Sequence, residues 1–215
     1  MPVIVVANPK GGAGKSTLAT NIAGLYAVFH GPTGLTNVAR RVRGGARQLE
    51  HDLGRLGVRQ LNEVFFDTLR LEAPNPERVR AAALAARLNF RYHDDGAIGI
   101  AVDETTDERD IRTIVDVFAH AAGVPAPEPS AGDFDEAYPA ALARTSAFLT
   151  HPVFTSHRSE SEMMRYIRSL ERKDIGLDTS KIPLGSCTMK LNATAEMYPV
   201  TWAEFGGIHP FAPKS

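Results

Sequence analysis

The pattern of apolar and polar positions along the chain distinguishes segments typical of strands from segments typical of helices. Residues 3–7 form an uninterrupted, largely β-branched apolar run, which is typical of a strand buried on both faces. After a Gly- and Pro-rich break, an apolar residue recurs every three or four positions, which predicts a helix from about Ser16. This stripe consists of Leu18, Ile22, Leu25 and Phe29. The pair Gly31-Pro32 should end that helix, and a second helix is predicted over 35–56.

The second helix contains a weak point at Gly44-Gly45, since each glycine costs about 1 kcal/mol relative to alanine. One or two strands are expected over 58–71. A helix is expected over 76–87, where a proline occupies the first turn. Residues 89–93 and 97–102 flank Asp94-Asp95-Gly96, which is typical of a β-hairpin whose turn needs a positive φ.

The last part of the chain carries fewer regular patterns. Thr106 should cap a helix over 107–121, and the proline-rich segment 123–132 indicates an extended linker. A helix is predicted over 159–173, followed by a largely irregular tail. These elements predict a small α/β layer structure.

Composition restricts the class of protein. Hydrophobic residues are 43% and charged residues 23% of the chain, as in folded globular proteins. A net charge of -1 gives no global attraction to nucleic acid or acidic lipid. The single cysteine, Cys187, excludes an intrachain disulfide and favours a reducing compartment. No run approaches the roughly 18 apolar residues that span a bilayer, and the start does not resemble a signal peptide. We therefore expect a cytoplasmic protein without nucleic-acid or membrane partners.

The sharpest local motif lies between the first predicted strand and helix. Its glycines would let backbone N–H groups converge on phosphates, Lys15 would reach the β- and γ-phosphates, and Ser16 would ligate Mg²⁺. The loop, with Pro9 in place of the usual first glycine and an added Lys10, resembles the deviant P-loop of partition-type and Min-type ATPases over residues 1–24. The candidate ATP-binding residues are Lys10, Gly11, Gly12, Gly14, Lys15, Ser16 and Thr17.

An ATPase of this class also needs a hydrophobic strand that ends in an aspartate for the Mg²⁺ shell. Asp67 is the one candidate of this kind, and no apolar run precedes Val64. Residues 31–57 predict an arginine-bearing helix where such an ATPase has a strand ending in acidic residues. A P-loop ATPase with a divergent body is therefore an alternative interpretation.

A second resemblance begins near residue 21 and continues to the end of the chain. It rests on six ordered blocks, followed by PVTW and HPFAP at 199–202 and 209–213. The blocks are YAVFHGPTGL (26–35), FFDTL (65–69), DETT (103–106), FLTHPVF (148–154), SESEM (159–163) and IPLGSCTMKLNATAEM (182–197). In their residues and in their order along the chain, these blocks resemble the glycine cleavage system P-protein family, that is, glycine dehydrogenase (decarboxylating).

The resemblance implies the fold and activity of a type I pyridoxal-phosphate enzyme. Such an enzyme decarboxylates glycine and passes the aminomethyl group to the lipoyl arm of the H-protein. Residues 25–122 are similar to the small α/β subdomain that ends the first half of the family protein. The same resemblance implies that residues 123–150 are a linker and that residues 151–215 are the incomplete start of the second half. It also implies that the other P-protein half is a partner of this chain. Since the same apolar stripe fits the helix of both families, we hypothesise that a recombined, mis-assembled or deliberately joined reading frame connects the P-loop-like start to this body.

The resemblance also indicates candidate residues without assigning their individual roles. One segment is similar to a part of the family that approaches the active site of the second half. Its candidate cofactor- or substrate-pocket residues are Ser186, Cys187, Thr188, Lys190 and Asn192. The family's imine-forming lysine lies in a histidine-lysine segment that is absent here, and Lys173, Lys181, Lys190 and Lys214 do not match it.

Three interpretations follow for the isolated chain. It is expected neither to bind pyridoxal phosphate nor to decarboxylate glycine by itself, because it lacks both the imine-forming lysine and the large cofactor domain. The alternatives are the P-loop ATPase and a non-catalytic interaction fragment that pairs with other P-protein pieces.

Several polar or aromatic residues receive structural interpretations. His151 and His157 match no helical metal spacing, and Asp94-Asp95 is explained by its turn. Trp202 and Phe205 are predicted to be packing anchors. A basic stripe is predicted to be a solvated helix face; it consists of Arg40, Arg41, Arg43 and Arg47.

Overall fold

The computed structural model describes residues 15–130, 134, 140–173, 195 and 198–206. The chain divides into two compact units. The central unit is Thr36–Thr145, and the outer unit combines Met1–Leu35 with Ser146–Ser215. The strand predicted over 3–7 lies outside the described residues. The central unit is a small mixed α/β structure, as the sequence predicts.

The first helix, α1, spans Lys15–Gly54 and is interrupted at Gly31, where φ is 60° and ψ is -175°. A positive φ is readily adopted by glycine, and Pro32 cannot donate an intrahelical hydrogen bond. The predicted break at Gly31-Pro32 is therefore confirmed, although helical structure resumes directly after it. The helix continues through Gly44-Gly45, because tertiary packing of this segment outweighs the low helix propensity of glycine.

The central unit contains four strands, joined in the order β1-β2-β4-β3, and every pairing is antiparallel. The strands are β1 Arg59–Gln60, β2 Thr68–Glu72, β3 Arg91–Tyr92 and β4 Ile98–Ala101. In the β2–β4 ladder, Thr68 pairs with Ala101 and Leu71 with Ile98. The predicted hairpin is confirmed: β3 and β4 pair across a turn in which Gly96 has a φ of 83°.

Two α-helices and a short 3₁₀ turn, Ala140–Leu142, complete the described part of the central unit; the helices are α2, Pro76–Ala85, and α3, Glu108–Ala122. The N-cap of α3 is Asp107, not Thr106 as predicted, because the carboxylates of Asp107 and Asp110 accept each other's backbone N–H groups in a capping box. The helix ends at Gly123, which has a φ of 72° and therefore adopts the left-handed conformation that favours glycine.

The core of the central unit forms where these elements meet. Leu49 and Leu53 of α1 pack with Leu69 and Leu71 of β2, and Phe118 of α3 closes the same cluster. Burying each such side chain contributes about 1.5–3 kcal/mol relative to leaving it exposed. This unit therefore has its own hydrophobic core, which holds the segments between its strands in fixed positions.

The outer unit contributes short elements besides the first arm of α1. They are α4 Val153–Ser156, α5 Glu160–Glu171, a 3₁₀ turn Tyr198–Thr201 and α6 Ala203–Gly206. A capping box between Ser159 and Glu162 opens α5, which confirms the helix predicted over 159–173. The hydrogen bonds from Ser159 lower the pKa of Glu162 below its ordinary value.

Trp202 and Phe205 contact each other, with 6.0 Å between their ring centroids. Both side chains are nevertheless exposed, so the prediction that they are packing anchors is wrong. Their separation of three residues places them on one turn, in which Phe205 N donates to Trp202 O at 3.0 Å, but none of the described residues buries either ring. Among the helices that the structure describes, none combines the length and the hydrophobicity that a bilayer crossing requires.

Candidate functional site

The predicted nucleotide loop lies mostly outside the described residues. Lys10, Gly11, Gly12 and Gly14 are all in that part of the chain. Lys15, Ser16 and Thr17 form the first turn of α1, and only their backbone is described. The Mg²⁺-binding role suggested for Ser16 therefore stays a prediction.

The predicted pocket segment also lies outside the described residues. Its members are Ser186, Cys187, Thr188, Lys190 and Asn192. Their proximity to an active site, and the absence of a pyridoxal-phosphate lysine, stay predictions from the resemblance.

Asp67 does not have the environment that a P-loop ATPase requires. It precedes β2, and the strand that follows pairs in antiparallel fashion with both of its neighbours. A magnesium-binding aspartate of that class follows a buried strand. The geometry at Asp67 therefore gives no support to the ATPase interpretation.

Polar groups from α1 and from two sheet segments meet at one end of the sheet. Asp67 lies before β2, Asp103 follows β4, and Val102 N donates to Asp67 O at 3.0 Å, which extends the ladder past the strands. We call this region the sheet-end cluster; it consists of Arg41, Arg43, Phe65, Asp67, Thr68, Asp103, Glu104, Thr105 and Thr106. Two of the sequence blocks, FFDTL and DETT, thus lie side by side.

Two arginines of α1 hold the two segments of the sheet-end cluster. Arg43 Nη1 donates to the carbonyl oxygen of Phe65 at 2.5 Å, and its Cζ lies 4.8 Å from the centroid of the Phe65 ring. Arg41 Nη2 donates to the carbonyl oxygen of Glu104 at 2.8 Å. Arg43 is only 8% exposed, so the predicted solvated face is wrong at this position. Within the basic stripe, Arg43 anchors the loop before β2 and Arg41 the loop after β4.

The Asp103 carboxylate of the cluster is satisfied by neighbouring donors. Asp103 accepts from the N–H and the hydroxyl of Thr105 at 2.9 and 2.7 Å, and from the same groups of Thr106 at 3.1 and 3.2 Å. Partial desolvation raises the pKa of Asp103, but these hydrogen bonds outweigh it, so that the pKa lies below its ordinary value. Asp103 is therefore ionised at neutral pH and organises a loop, which does not suit a general acid.

This arrangement predicts a pH-dependent contribution to stability. Because the folded pKa of Asp103 is lowered, its contribution is present above the ordinary carboxyl pKa and is lost as the pH falls through the folded value. Asp103→Asn should lower the free energy of unfolding by about 1 kcal/mol at pH 7, and by less below about pH 3. Urea denaturation at several pH values measures this difference.

Asp94→Asn, in the exposed β3–β4 turn, is the matched control and should change the free energy of unfolding by under about 0.5 kcal/mol at each pH. The assignment fails if the Asp103→Asn difference is independent of pH.

A second polar group fastens the segment that follows α3. Ser130 Oγ donates to Asp52 Oδ1 at 2.5 Å and lies 2.9 Å from His51 Nδ1. Arg55 Nη1 donates to the carbonyl oxygen of Glu128 at 2.6 Å. Arg112 Nη1 donates to the carbonyl oxygen of Pro127 at 2.7 Å. We call this set the linker clasp; it consists of His51, Asp52, Arg55, Arg112, Pro127, Glu128 and Ser130.

Asp52 is the centre of the linker clasp, since it is 2% exposed yet ionisable. Arg55 Nη1 lies 3.6 Å from its Oδ1, and Ser130 N lies 3.5 Å from its Oδ2. A buried carboxylate requires such partners, because desolvation without them is strongly unfavourable. The predicted extended linker 123–132 is therefore held against α1 and α3 over its described part.

The described residues of the central unit line cavities that include the following two. One of about 230 Å³ is mainly apolar and is lined by Leu56, Val58 and Phe118 among others. The other, of about 220 Å³, borders the linker clasp and is lined by residues including Asp52 and Arg112. Neither lining contains a lysine.

The remaining polar candidates have local structural roles. His151 Nδ1 accepts from Val153 N at 3.2 Å, and the His157 ring stacks on Tyr166 at 4.3 Å. Asp95 accepts from Ala97 N at 3.2 Å and pairs with Arg70. Within the part of the chain that the structure describes, no three potential metal ligands come together. The structural interpretation of the Asp94-Asp95 turn is confirmed, and both histidines make local contacts that agree with a structural role.

Comparisons with known proteins match this chain to one family. A family model described as the glycine cleavage system P-protein matches residues 13–118, which includes the helix start, the sheet-end cluster and most of α3. A glycine dehydrogenase (decarboxylating) from Paraburkholderia xenovorans (strain LB400) is 52% identical over 200 residues. The matched stretch covers 89% of this chain and 20% of the relative. The chain thus spans about one fifth of the length of that relative.

Proposed function

Because the chain belongs to the glycine cleavage system P-protein family, we propose that it supplies part of a glycine dehydrogenase (decarboxylating). The observation that carries this proposal is the 52% identity over 200 residues to the curated enzyme. Neither the P-loop ATPase nor the non-catalytic interaction fragment gains comparable support. The family match begins at residue 13, before the position where the resemblance first becomes evident in the sequence, and it includes part of the P-loop-like segment.

The proposed activity is the decarboxylation of glycine and the transfer of its aminomethyl group to the lipoyl arm of the H-protein. In such an enzyme, bound pyridoxal phosphate supplies the electron sink for loss of CO₂. Among the described residues, Lys173 is exposed, and the two cavities described above have no lysine in their linings, so no described side chain is assigned as an imine-forming lysine. We therefore assign no catalytic step to the described residues, and we propose that the isolated chain is inactive.

The described residues support a structural role within the enzyme. The core of the central unit fixes the sheet-end cluster, and Arg41 and Arg43 hold the two loops of that cluster in place. The linker clasp fixes the first residues after α3. We propose that this unit is the small α/β subdomain at the end of the first half of the enzyme, over about 25–122.

The remaining assignments follow the same proposal. Segment 123–150 would be the linker between the two halves, and 151–215 would open the second half. Ser186, Cys187, Thr188, Lys190 and Asn192 would approach the active site once the rest of the enzyme is present. The partners would be the lipoylated H-protein and the other P-protein half, in the cytoplasm.

A graft into the relative tests the proposed function. The aligned stretch of the Paraburkholderia enzyme is replaced by the matching stretch of this chain, and we call the product the graft enzyme. It should release CO₂ from carboxyl-labelled glycine in the presence of pyridoxal phosphate and lipoylated H-protein, within about tenfold of the parent rate. The free chain should release none under the same conditions.

The parent enzyme with its aligned stretch deleted is the matched control, and it should be inactive. A folded graft enzyme that carries cofactor but lacks activity would count against the proposal. ATP-dependent thermal stabilisation of the free chain that is lost in Lys15→Ala would favour the ATPase instead, because a ligand that binds only the folded state stabilises it.

A further inference from the structure

The helix α5 presents an apolar stripe in which no side chain is buried by the described residues, although the His157 ring stacks on Tyr166. Met163, Tyr166, Ile167 and Leu170 recur at intervals of three, one and three residues, which brings them onto one side of the helix. Ile167 is 40% exposed and Leu170 38%, and no residue of α5 is buried. The neighbouring Met164 is 63% exposed. We call this side of the helix the α5 face.

The opposite side of α5 is polar and locally satisfied. Arg168 Nη1 pairs with Glu171 Oε2 at 2.6 Å, and Ser161 and Arg165 are exposed. The capping box of Ser159 and Glu162 fixes where the helix begins. An amphipathic helix of 12 residues is marginal in water by itself, so that most of its stability comes from packing of the apolar side. The α5 face is therefore an incomplete interface.

The two units differ sharply in how they bury apolar side chains. Of the buried hydrophobic residues in the described part of the chain, Val28 alone belongs to the outer unit, and all others belong to the central unit. Large exposed hydrophobic residues nevertheless occur throughout the outer unit. They are Phe29, Met164, Ile167, Leu170, Tyr198, Trp202 and Phe205. An element layer with one apolar side is stable only when that side packs against another layer.

We infer that the α5 face is a docking surface for the portion of the P-protein polypeptide that this chain does not contain. The inference rests on the proposed function, since it places this chain within a longer enzyme. The relative is about five times as long as the matched stretch. Because the match covers 89% of this chain, the matched stretch includes α5 whatever its first residue is. The same helix in the relative thus lies within a chain that has ample further polypeptide to cover it.

Methionine oxidation measures this covering without a substitution. Hydrogen peroxide is added to the free chain and to the graft enzyme, and oxidation of Met164 is followed by mass spectrometry. Met164 should react at least tenfold more slowly in the graft enzyme than in the free chain. Equal rates in the two proteins would overturn the inference.

A charge placed on the α5 face provides the second measurement. Ile167→Asp should lower the melting temperature of the graft enzyme by several degrees, because it buries a carboxylate without a partner. In the free chain, where residue 167 is exposed, the same substitution should shift the melting temperature by less than a degree or so. Ser161→Asp, which adds the same charge on the polar side, is the matched control and should shift neither protein. An equal effect of both substitutions in the graft enzyme would overturn the inference.

Sedimentation of the free chain tests whether a second copy of this chain, and not the rest of the P-protein polypeptide, covers the α5 face. If the wild-type chain dimerises and Met164 is protected in that dimer, a second copy covers the α5 face and the inference is wrong. The outcome is separable from that of the proposed function: an inactive graft enzyme with protected Met164 would refute only the function. An active graft enzyme with reactive Met164 would refute only the docking surface.

Discussion

Arg43→Met should lower the free energy of unfolding of the central unit by about 2–4 kcal/mol. Methionine fills much of the same volume but cannot donate the hydrogen bond that the carbonyl oxygen of Phe65 receives from Arg43 at 2.5 Å. A buried acceptor left without a donor costs about 1–3 kcal/mol. Loss of the guanidinium 4.8 Å from the Phe65 ring centroid removes about 1 kcal/mol more.

Urea denaturation followed by far-ultraviolet circular dichroism measures this change. Arg41→Met is the matched control: its guanidinium also donates to a backbone carbonyl, but in an exposed position, so that the loss should stay below about 1 kcal/mol. Arg43→Lys should give an intermediate loss, because a single ammonium cannot match both the hydrogen bond and the planar contact. The role assigned to Arg43 is refuted if Arg43→Met is no less stable than Arg41→Met.

Asp52→Ala should have an effect of similar size in the linker clasp. The substitution removes the buried acceptor of Ser130 Oγ and the charge that lies 3.6 Å from Arg55 Nη1. Hydrogen bonds to a charged group contribute about 1.5–3 kcal/mol, and a cavity term adds to this, so the free energy of unfolding should fall by about 2–4 kcal/mol. Amide hydrogen exchange should accelerate in residues 124–130 more than in β2 or β4, because the segment after α3 is released.

Ser130→Ala provides a graded comparison for this second substitution. It removes the hydroxyl donor but leaves the carboxylate with Arg55, so that the expected loss is about 1 kcal/mol. Glu50→Ala, which removes an ion pair with Arg47 outside the clasp, should not accelerate exchange in residues 124–130. Uniform acceleration across the whole unit in Asp52→Ala would show that Asp52 supports the core as a whole and not the linker in particular.

Local signals in the sequence were sufficient for the longer helices and the hairpin, but not for the short helices α4 and α6. The break at Gly31-Pro32, the turn at Gly96 and the apolar period of α3 each depend on residues that are near one another in the chain. The cap of α3 was predicted one residue too early. Thr106 and Asp107 are both good N-cap residues, and the choice between them depends on Asp103, which occupies the Thr106 hydroxyl and N–H.

The burial of charged side chains was not predictable in the same way. Arg43 and Asp52 lie on a helix rich in charged residues, where a solvated face is the ordinary expectation. Arg43 is buried because it meets a carbonyl 22 residues later, and Asp52 because it meets a serine 78 residues later. Such pairings depend on the tertiary fold. A signal was nevertheless present for the sheet-end cluster, since the FFDTL and DETT blocks both carried the family resemblance.

The candidate chemistry divides along the same line. The P-loop-like residues before Lys15 and the segment 186–192 were identified from motifs alone, and they lie outside the described residues. The Mg²⁺-binding role considered for Asp67 could be compared with the structure, because the pairing direction of the strand that follows Asp67 bears on whether this residue suits a magnesium-binding site. The family was recognisable from ordered blocks over most of the chain, since such blocks carry more information than one short loop.

The order of the strands has a consequence for concentrated solutions of the protein. Both edges of the sheet are formed by strands of two residues, β1 and β3, while the longer β2 and β4 lie inside. Short edge strands offer few unpaired backbone groups to a neighbouring molecule, which suppresses aggregation by strand addition. The antiparallel sheet is therefore a poor template for fibril growth, and association of this protein should proceed through side chains and not through its backbone edges.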